Sequence, residues 1–291
     1  MSNKTFFLLK TGVKQQLFML AFTACLLASC ASVHAQKPGQ ATSGRVNTME
    51  KFSFKYGRLE AEIKTPLTNA GLWPAFWLLG ADFPDVNWPR CGEIDVMEMG
   101  HAQGIEEGIA DRFVSGACHW GETPDRNHPK YDSPDKKYGK NLQDEFHRYT
   151  LIWNETSVST YIDDDPDPYF RMDIWNYPVK DYFNKEFFII LNLAVGGQLP
   201  EIFDISEITA LGPENNYTAS MYVDYVRVYD LEGTLIWNDE FDFLDESKWN
   251  IEVRNDGGGN SELQYYKREN VSVGTEPETG RSCLVLTAMI R

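Results

Sequence analysis

The segment Cys91–Gly100, CGEIDVMEMG, places three carboxylates within six residues of an apolar, strand-forming stretch. Side chains alternate between the two faces of a β-strand, so Glu93 and Asp95 share one face. Glu98 lies five positions after Glu93, an odd offset that would turn it to the opposite face of a regular strand. One extra residue, a β-bulge around Val96–Met97, would return Glu98 to the face of the other two acids. The segment therefore predicts a bulged strand with a strip of three acids on one face.

The residues between and beside these acids favour a buried strand over a solvated one. Ile94, Val96, Met97 and Met99 are all apolar, as in strands that pack against a core. Like charges held this close force the pKa values of the carboxyls apart. One carboxyl can then be ionised while another is protonated, which is the arrangement that cleaves a glycosidic bond.

Strand-like runs dominate the rest of the chain, with turn residues between them and few helix signals. Strands are predicted over residues 52–64, 73–79, 93–99, 147–153, 157–163, 187–195, 221–229, 235–237 and 284–288, and a short helical turn near 179–184. No linker rich in Gly, Ser or Pro divides the chain after residue 41. The pattern predicts one all-β domain over residues 42–291, built as an antiparallel β-sandwich of two sheets.

The N-terminal segment has the features of an export signal. Three lysines precede the uncharged apolar run at 17–29, which is too short to span a bilayer as a stable anchor. Residues 27–30, LASC, resemble a bacterial lipobox in which Cys30 would be lipidated. A signal peptide is therefore expected over residues 1–29, or over 1–35 if ordinary cleavage follows Ala35, with a polar tether over 30–41. The expected product is an exported protein, either a bacterial cell-envelope lipoprotein or a freely secreted one.

The charge balance restricts the partners of the protein. Forty-three acidic residues against 27 basic ones give a formal net charge of −16. Like charges repel, which disfavours nucleic acid and anionic polysaccharide, whereas a neutral glucan meets no such barrier. The only membrane contact expected is the lipid anchor, and a monomer is expected. The sequence leaves open whether Cys91, Cys118 and Cys283 include one disulfide or are three buried thiols.

Four longer motifs resemble glycoside hydrolase family 16. They are GRLEAEIK, GLWPAFWLLG, WPRCGEIDVMEMG and MYVDYVRVYD, and the six-residue form EIDVME is similar to that of bacterial laminarinases, which are endo-β-1,3-glucanases. The resemblance implies a concanavalin A-like jelly roll and retaining hydrolysis of β-1,3-glucan without a catalytic cofactor. It implies Glu93 as the nucleophile, Glu98 as the general acid and then base, and Asp95 as the residue that holds Glu93 by a hydrogen bond.

The order of the motifs departs from that family. The block at 235–288, from LIWNDEFD to LVLTA, resembles the N-terminal portion of the family but lies here at the C-terminus. We therefore expect a circularly permuted jelly roll, joined through residues 230–233 and with its new ends near Thr42 and Arg291. Permutation is tolerated at exposed turns. The alternative is that residues 235–291 are a truncated second copy.

The resemblance also implies a substrate cleft and a structural ion. Expected substrate-binding residues are Trp73, Trp77, Trp88 and Trp120 as stacking platforms, His119 near the acid, and Asn260, Glu262 and Arg45 as polar contacts. For each tryptophan the alternative is packing in the core, and for His119 a buried structural histidine. A structural Ca²⁺ is expected at Glu240, Asp224 and the carbonyl of Gly280, with metal-free surface acids as the alternative.

Three further functions remain open from sequence alone. The same mechanism could act on mixed-linkage β-glucan or on a marine galactan, although no basic patch for a sulfated galactan is evident. The sandwich could also belong to a non-catalytic, lectin-like glycan-binding protein. The intact Glu93, Asp95 and Glu98 argue against a binding protein without activity.

Overall fold

Alternating apolar and polar residues form seventeen strands within residues 39–123, 130–132 and 138–291, the part of the chain that the computed structural model describes. The strands are β1 (Ala41–Ser43), β2 (Arg45–Asn47), β3 (Gly57–Lys64), β4 (Leu72–Gly80), β5 (Glu93–Met99), β6 (Val114–His119), β7 (Lys130–Asp132), β8 (Phe146–Trp153), β9 (Ser157–Ile162), β10 (Phe170–Asp173), β11 (Phe187–Val195), β12 (Thr218–Tyr229), β13 (Leu235–Asp239), β14 (Asn250–Ile251), β15 (Tyr265–Tyr266), β16 (Val271–Thr275) and β17 (Ser282–Ile290). The helices are short: α1 (Ala102–Glu106), α2 (Val179–Phe183) and the 3₁₀ turns Ala110–Arg112, Ile205–Glu207, Pro213–Asn215, Gly257–Gly259 and Arg268–Asn270.

The strands form two sheets. The larger has the order β10-β9-β8-β3-β12-β17-β1-β15, with β13 beside β12 and β16 beside β17. The smaller has the order β14-β2-β11-β4-β5-β6-β7. All pairings are antiparallel except that of β1 with β15, which is parallel. The predicted two-sheet antiparallel sandwich is therefore confirmed in its main features.

The main core lies between the two sheets and is apolar. Strand β11 shows how it is built, since Phe187, Ile189, Leu191, Leu193 and Val195 all belong to this core. The alternate residues Phe188, Ile190 and Ala194 of the same strand point to the outer face of the smaller sheet, where they belong to two smaller hydrophobic clusters. This outer face carries the predicted acids.

Most predicted strands are confirmed, and one is too long. The strands over 93–99 and 187–195 have the predicted bounds. The run expected from residue 52 becomes a strand only at Gly57, because Tyr56 and Gly57 adopt positive φ angles of 63° and 117°. Phe54 makes an isolated bridge to Phe187 instead. Strands β6, β10 and β16 were not predicted, and neither were the shorter strands β1, β2, β7, β14 and β15, for which two or three residues are too few to show a period.

The C-terminal block is part of the same sandwich. Strands β12 and β13 form the predicted hairpin, and β17 runs antiparallel to both β12 and β1. Ala41 is opposite Ile290, and the amide of Arg291 donates to the carbonyl of Gln40 at 3.3 Å. The first and last described residues are therefore neighbours in the larger sheet.

Two further observations bear on the sequence-based expectations. Cys91, Cys118 and Cys283 are buried free thiols, which settles the open question of a disulfide within the described residues. Among those residues, no helix has the length and apolar character needed to cross a bilayer. The expected signal peptide and Cys30 lie outside the described residues.

The position of β17 yields a stability prediction. Leu286 is fully buried between Met221 of β12 and Val271 of β16. Replacing it with Ala should lower the free energy of unfolding by about 2–5 kcal/mol, because a cavity opens in the core. Leu235→Ala is the matched control, since Leu235 is 46% exposed. Urea unfolding of both variants tests this, and equal stability of Leu286→Ala and the unmutated protein would contradict the placement of the C-terminal block in the core.

Candidate active site

The predicted β-bulge is present at Val96–Met97. On one side of β5, Trp77 is opposite Asp95 while Phe76 is opposite Met97. On the other side, Asp95 pairs with Ala117 and Glu98 with Ser115, so two residues of β5 face one residue of β6. Val96 and Met97 both lie fully buried in the main core. Glu98 thereby returns to the face that carries Glu93 and Asp95, as the predicted bulge requires.

Two neighbours of the bulge accommodate it. The hydroxyl of Tyr169, 1% exposed, donates a hydrogen bond to the carbonyl of Val96. A bulge interrupts the ladder of backbone hydrogen bonds, so its buried carbonyl needs such a partner. Gly116 lies across from the bulge, where a Cβ would come within 2.9 Å of Phe170 and 3.1 Å of the Asp95 carbonyl. The side chain of residue 116 is therefore limited to hydrogen.

Specific contacts hold the three acids. The side chain of Glu93 is 16% exposed and that of Asp95 is 5% exposed, while Glu98 is partly buried. The indole Nε1 of Trp73 donates to Oε1 of Glu98 at 3.0 Å. On the other side of the strip, Nε2 of His119 lies 3.2 Å from Oδ2 of Asp95 and 3.7 Å from Oε1 of Glu93. The two outer glutamates thus have different environments.

The electrostatics of this strip leave a proton on it at neutral pH. Burial, together with the nearby charge of Asp95, raises the pKa of Glu93 to about 8. Two carboxylates this close cannot both ionise freely, so the proton belongs to the Glu93–Asp95 pair. His119 and Arg45 act in the opposite direction and favour the ionised form of Glu93. The pair can therefore supply one ionised carboxylate that accepts a hydrogen bond from its neighbour.

The same side chains are also the only convergence of metal-ligand atoms in the described residues. Oxygens of Glu93 and Asp95 and a ring nitrogen of His119 lie within 4.8 Å of one another. A divalent cation held there would occupy the very carboxylate that the bulge aligns with Glu98.

A polar wall lies beside the acids on strands β2, β4 and β11. Nε1 of Trp77 donates to Oδ1 of Asn192 at 2.7 Å. The guanidinium carbon of Arg45 lies 4.9 Å from the ring centroid of Trp77 and 5.9 Å from that of Tyr266. Glu252 accepts from Nε of Arg45 at 2.8 Å. Trp77 and Arg45 therefore occupy this face as expected, and each has a fixed orientation.

The predicted residues of the C-terminal block lie at the same wall. Oε2 of Glu262 accepts from the Tyr266 hydroxyl at 2.9 Å, and that hydroxyl in turn accepts from Asn192 at 3.3 Å. The carbonyl of Asn260 accepts from the amide of Gln198 at 2.9 Å, just beyond the end of β11.

Trp88 packs partly buried beside Leu79 and has its ring 6.1 Å from that of His119. The fold thus brings both ends of the described chain to one face.

Trp120 is not available as a stacking platform, which corrects the sequence-based expectation. It is 7% exposed, belongs to the main core and packs edge-on against Phe183 at 5.7 Å. Successive side chains of an extended chain point to opposite faces, so Trp120 points inward because His119 points to the outer face. Trp73 is also nearly buried, at 8% exposure, and its indole NH is directed at Glu98 rather than outward.

The residues expected to bind calcium are already paired with arginines. Both oxygens of Glu240 accept from Arg227, at 2.9 and 2.7 Å, and Oδ2 of Asp224 accepts from Arg281 at 3.0 Å. Calcium takes six to eight oxygen ligands. A donor set whose two carboxylates are neutralised by guanidinium groups does not fit that ion, so no role is derived for calcium.

Sequence reasoning missed several residues that shape the site. Tyr169, Asn192 and Glu252 lie far from the acids in the sequence and have no motif of their own. Asn192 interrupts the apolar run FFIILNLAV, and a lone polar residue in a buried strand was the available signal. For Tyr169 and Glu252 the sequence contains no comparable signal, because their partners are set by the tertiary fold.

Comparison with known proteins gives consistent matches. The family model described as glycosyl hydrolases family 16 matches residues 14–182, more than half of the chain. The chain is 34% identical over 201 residues to glucan endo-1,3-beta-glucosidase A1 of Niallia circulans, covering 65% of this chain and 26% of that protein. It is 30% identical to a beta-1,3-glucan-binding protein of Penaeus monodon, covering 66% of this chain and 64% of that protein. The matched part thus spans about a quarter of the first relative's length.

A solved structure matches as well. A mixed linkage glucan GH16 protein of Bacteroides ovatus, in complex with a product, is 35% identical with a TM-score of 0.56. The match covers 65% of this chain and 79% of that chain. The similarity therefore extends to the sandwich and includes a relative with a bound oligosaccharide product.

The raised pKa of Glu93 predicts a pH-dependent stability. Between the ordinary value of about 4.5 and about 8, the folded state binds more protons than the unfolded state. The free energy of unfolding therefore falls as pH rises through this window. Glu93→Gln removes the ionisation, so its Tm should exceed that of the unmutated protein by a margin that grows from pH 5 to pH 9.

Thermal scans at both pH values measure this margin. Glu106→Gln is the control, because Glu106 is exposed to solvent and lies in the short helix α1, away from the three acids. A margin that is equal at pH 5 and pH 9 would contradict the shared proton.

The hydrogen bond from Tyr169 predicts a second effect. Tyr169→Phe leaves the buried Val96 carbonyl without its donor, which should cost about 1–3 kcal/mol of stability. It should also loosen the bulge that sets the position of Glu98. Tyr149→Phe is a matched control, since Tyr149 is equally buried but its hydroxyl contacts only the Met99 sulfur at 4.0 Å. Urea unfolding of both variants tests the prediction, and equal losses would contradict it.

Proposed function

Because the chain belongs to glycosyl hydrolases family 16, we propose that it is an endo-acting hydrolase of β-1,3-glucan that retains the configuration at the anomeric carbon. The observation that carries the proposal is the bulge in β5, which puts Glu93, Asp95 and Glu98 on one open face. Retaining glycosidases use two carboxyls on either side of the scissile bond. The different surroundings of Glu93 and Glu98 suit one nucleophile and one acid.

The proposed reaction has two displacements. Glu93 attacks the anomeric carbon while Glu98 gives its proton to the departing oxygen, so a glycosyl ester of Glu93 forms and the glycosidic bond breaks. Glu98 then takes a proton from water, whose oxygen attacks the same carbon and releases Glu93. Glu93 and Asp95 share one proton, and the charges of His119 and Arg45 favour the ionised form of Glu93 that makes the attack.

Trp73 and His119 assist at opposite ends of this strip. The indole of Trp73 fixes the carboxyl of Glu98 in one orientation, which keeps its proton directed at the leaving group. His119 lies between Asp95 and Glu93 and restrains both. Sugar rings bind by stacking on exposed aromatic surface and by hydrogen bonds to their hydroxyls. Trp77 and Trp88, both partly exposed, are the proposed stacking residues.

Two observations support a neutral β-glucan as the substrate. The protein carries a formal charge of −16, and the one arginine in the polar wall, Arg45, is neutralised by Glu252. The Niallia circulans relative is an endo-1,3-beta-glucosidase by name. A mixed-linkage glucan is the second candidate, favoured by the Bacteroides ovatus structure and its bound product.

We further propose that the chain is a circular permutant exported through its N-terminal signal, with Cys30 as the lipidated residue. The contact between Gln40 and Arg291 and the tight β12–β13 hairpin support the permutation. Mass spectrometry of the mature N-terminus tests the lipidation.

The substrate proposal predicts the outcome of a polysaccharide panel. Laminarin should be degraded to mixed oligosaccharides, lichenan more slowly, and agarose and carrageenan not at all, as followed by reducing ends and chromatography. Strong activity on a sulfated galactan with none on laminarin would overturn the proposed substrate. Binding of laminarin without any cleavage would favour the lectin-like alternative; the Penaeus monodon relative is a beta-1,3-glucan-binding protein by name.

The assigned roles predict different behaviour for two isosteric variants. Glu93→Gln should lose at least about 10³-fold in kcat on all substrates, because no covalent intermediate forms. Glu98→Gln should lose about 10²–10⁴-fold on laminarin but much less in the first step on an aryl glycoside, whose leaving group needs no proton. Equal losses for Glu98→Gln on both substrates would contradict its role as the acid.

A further inference from the structure

Arg45 has unused hydrogen-bonding capacity at the face that carries the acids. Its side chain is only 8% exposed, and its single hydrogen bond as a donor among the described residues runs from Nε to Glu252. None of the hydrogen bonds within the described part of the chain involves its two terminal nitrogens. A guanidinium group carries five N–H donors in a rigid plane. Four of those donors are therefore left for a ligand or solvent.

The guanidinium is nonetheless held in one place. It lies between two aromatic rings, with its central carbon 4.9 Å from the centroid of Trp77 and 5.9 Å from that of Tyr266. Trp77 is the cross-strand neighbour of Asp95, so the guanidinium that packs on its ring lies on the face that carries the acids. The free donors are consequently close to the sugar that Glu93 would attack.

Glu252 is the group that fixes this arrangement. It follows β14, and its amide donates to the carbonyl of Arg45 at 3.0 Å, so the two residues are cross-strand neighbours. Its Oε1 accepts from Nε of Arg45 at 2.8 Å and from Asn47 at 2.7 Å, and its Oε2 lies 3.4 Å from Arg254. Binding through Nε leaves both terminal nitrogens outside the hydrogen bond with Glu252. The side chain of Glu252 is 16% exposed, which limits its own access to a ligand.

We propose that Glu252 is a positioning residue, which holds Arg45 so that its terminal nitrogens donate to hydroxyl groups of the sugar bound beside Glu93. This deepens and rests on the proposed glucan hydrolysis. Because Glu252 cancels the charge of Arg45, the pair recognises neutral hydroxyls rather than an anionic substituent. The C-terminal block thereby takes part in substrate binding indirectly, through Arg45.

Kinetics of the full-length enzyme on laminarin test the proposal. Glu252→Ala frees Nε and lets the guanidinium rotate, so KM should rise about ten- to a hundredfold while kcat changes less than about threefold. Glu252→Gln keeps an oxygen acceptor for both Arg45 and Asn47, and it should retain kcat/KM within about threefold. Glu246→Ala is the matched control, since it removes an exposed ion pair with Arg268 and should leave both constants unchanged.

A double-mutant cycle separates positioning from general damage to the fold. If Glu252 acts through Arg45, Glu252→Ala should cost less than about twofold when added to Arg45→Ala, whereas independent roles would multiply. Multiplying effects, an unchanged KM in folded Glu252→Ala, or equal damage by Gln and Ala would each overturn the proposal. Should Glu252→Ala fail to fold, the cycle is run with Glu252→Gln and Arg45→Lys, and a KM unchanged in Arg45→Lys overturns it. A wild-type enzyme without activity on any glucan contradicts the proposed function itself.

Discussion

The structure of the site depends on the one extra residue in β5. Without the bulge, a spacing of five would direct Glu98 into the core among Ile94 and the other apolar side chains of that strand. A buried, unpaired carboxylate costs several kcal/mol. With the bulge, two successive apolar residues, Val96 and Met97, enter the core together and three acids stay on the open face. Tyr169, just before β10 of the larger sheet, and Gly116 of the neighbouring strand β6 accommodate this local irregularity.

The two faces of the smaller sheet have different roles. Its inner face packs against the larger sheet and supplies stability, while its outer face collects groups that are unfavourable elsewhere. Three carboxylates, a histidine, an arginine and two tryptophans lie there at close range. Their mutual hydrogen bonds and ion pairs limit the electrostatic cost, while burial, together with the remaining repulsion from Asp95, raises the pKa of Glu93. The chemistry proposed for this face depends on that raised pKa, because it keeps one proton on the acids at neutral pH.

Much of this arrangement could be predicted from the sequence, because it depends on local period. Alternation in the acid strand, together with its odd spacing, predicted both the bulge and the shared face of the acids. The long apolar strand at 187–195 was predicted with its observed bounds. The alternation of side chains could also have corrected Trp120, since it directly follows His119, the last residue of β6. Motif resemblance placed it in the cleft, and the simple alternation rule placed it in the core.

The remaining parts could not be predicted, because they depend on contacts between distant segments. Two-residue strands such as β14 and β15 have no period, yet they bring Glu252 and Glu262 to the wall of the site. The hydrogen bond of Tyr169 joins two sheets across the core. The pairing of Asp224 and Glu240 with Arg281 and Arg227 likewise needs the tertiary fold, and it removes the carboxylates that were expected to bind a cation.

Covalent labelling tests the central claim most directly. A 2-deoxy-2-fluoro β-glucosyl substrate with an activated leaving group slows the second displacement and allows the glycosyl ester to accumulate. The account predicts that peptide mass spectrometry of the labelled protein locates one added glycosyl unit on Glu93. A label on another residue, or turnover with inversion and no covalent adduct, would contradict it.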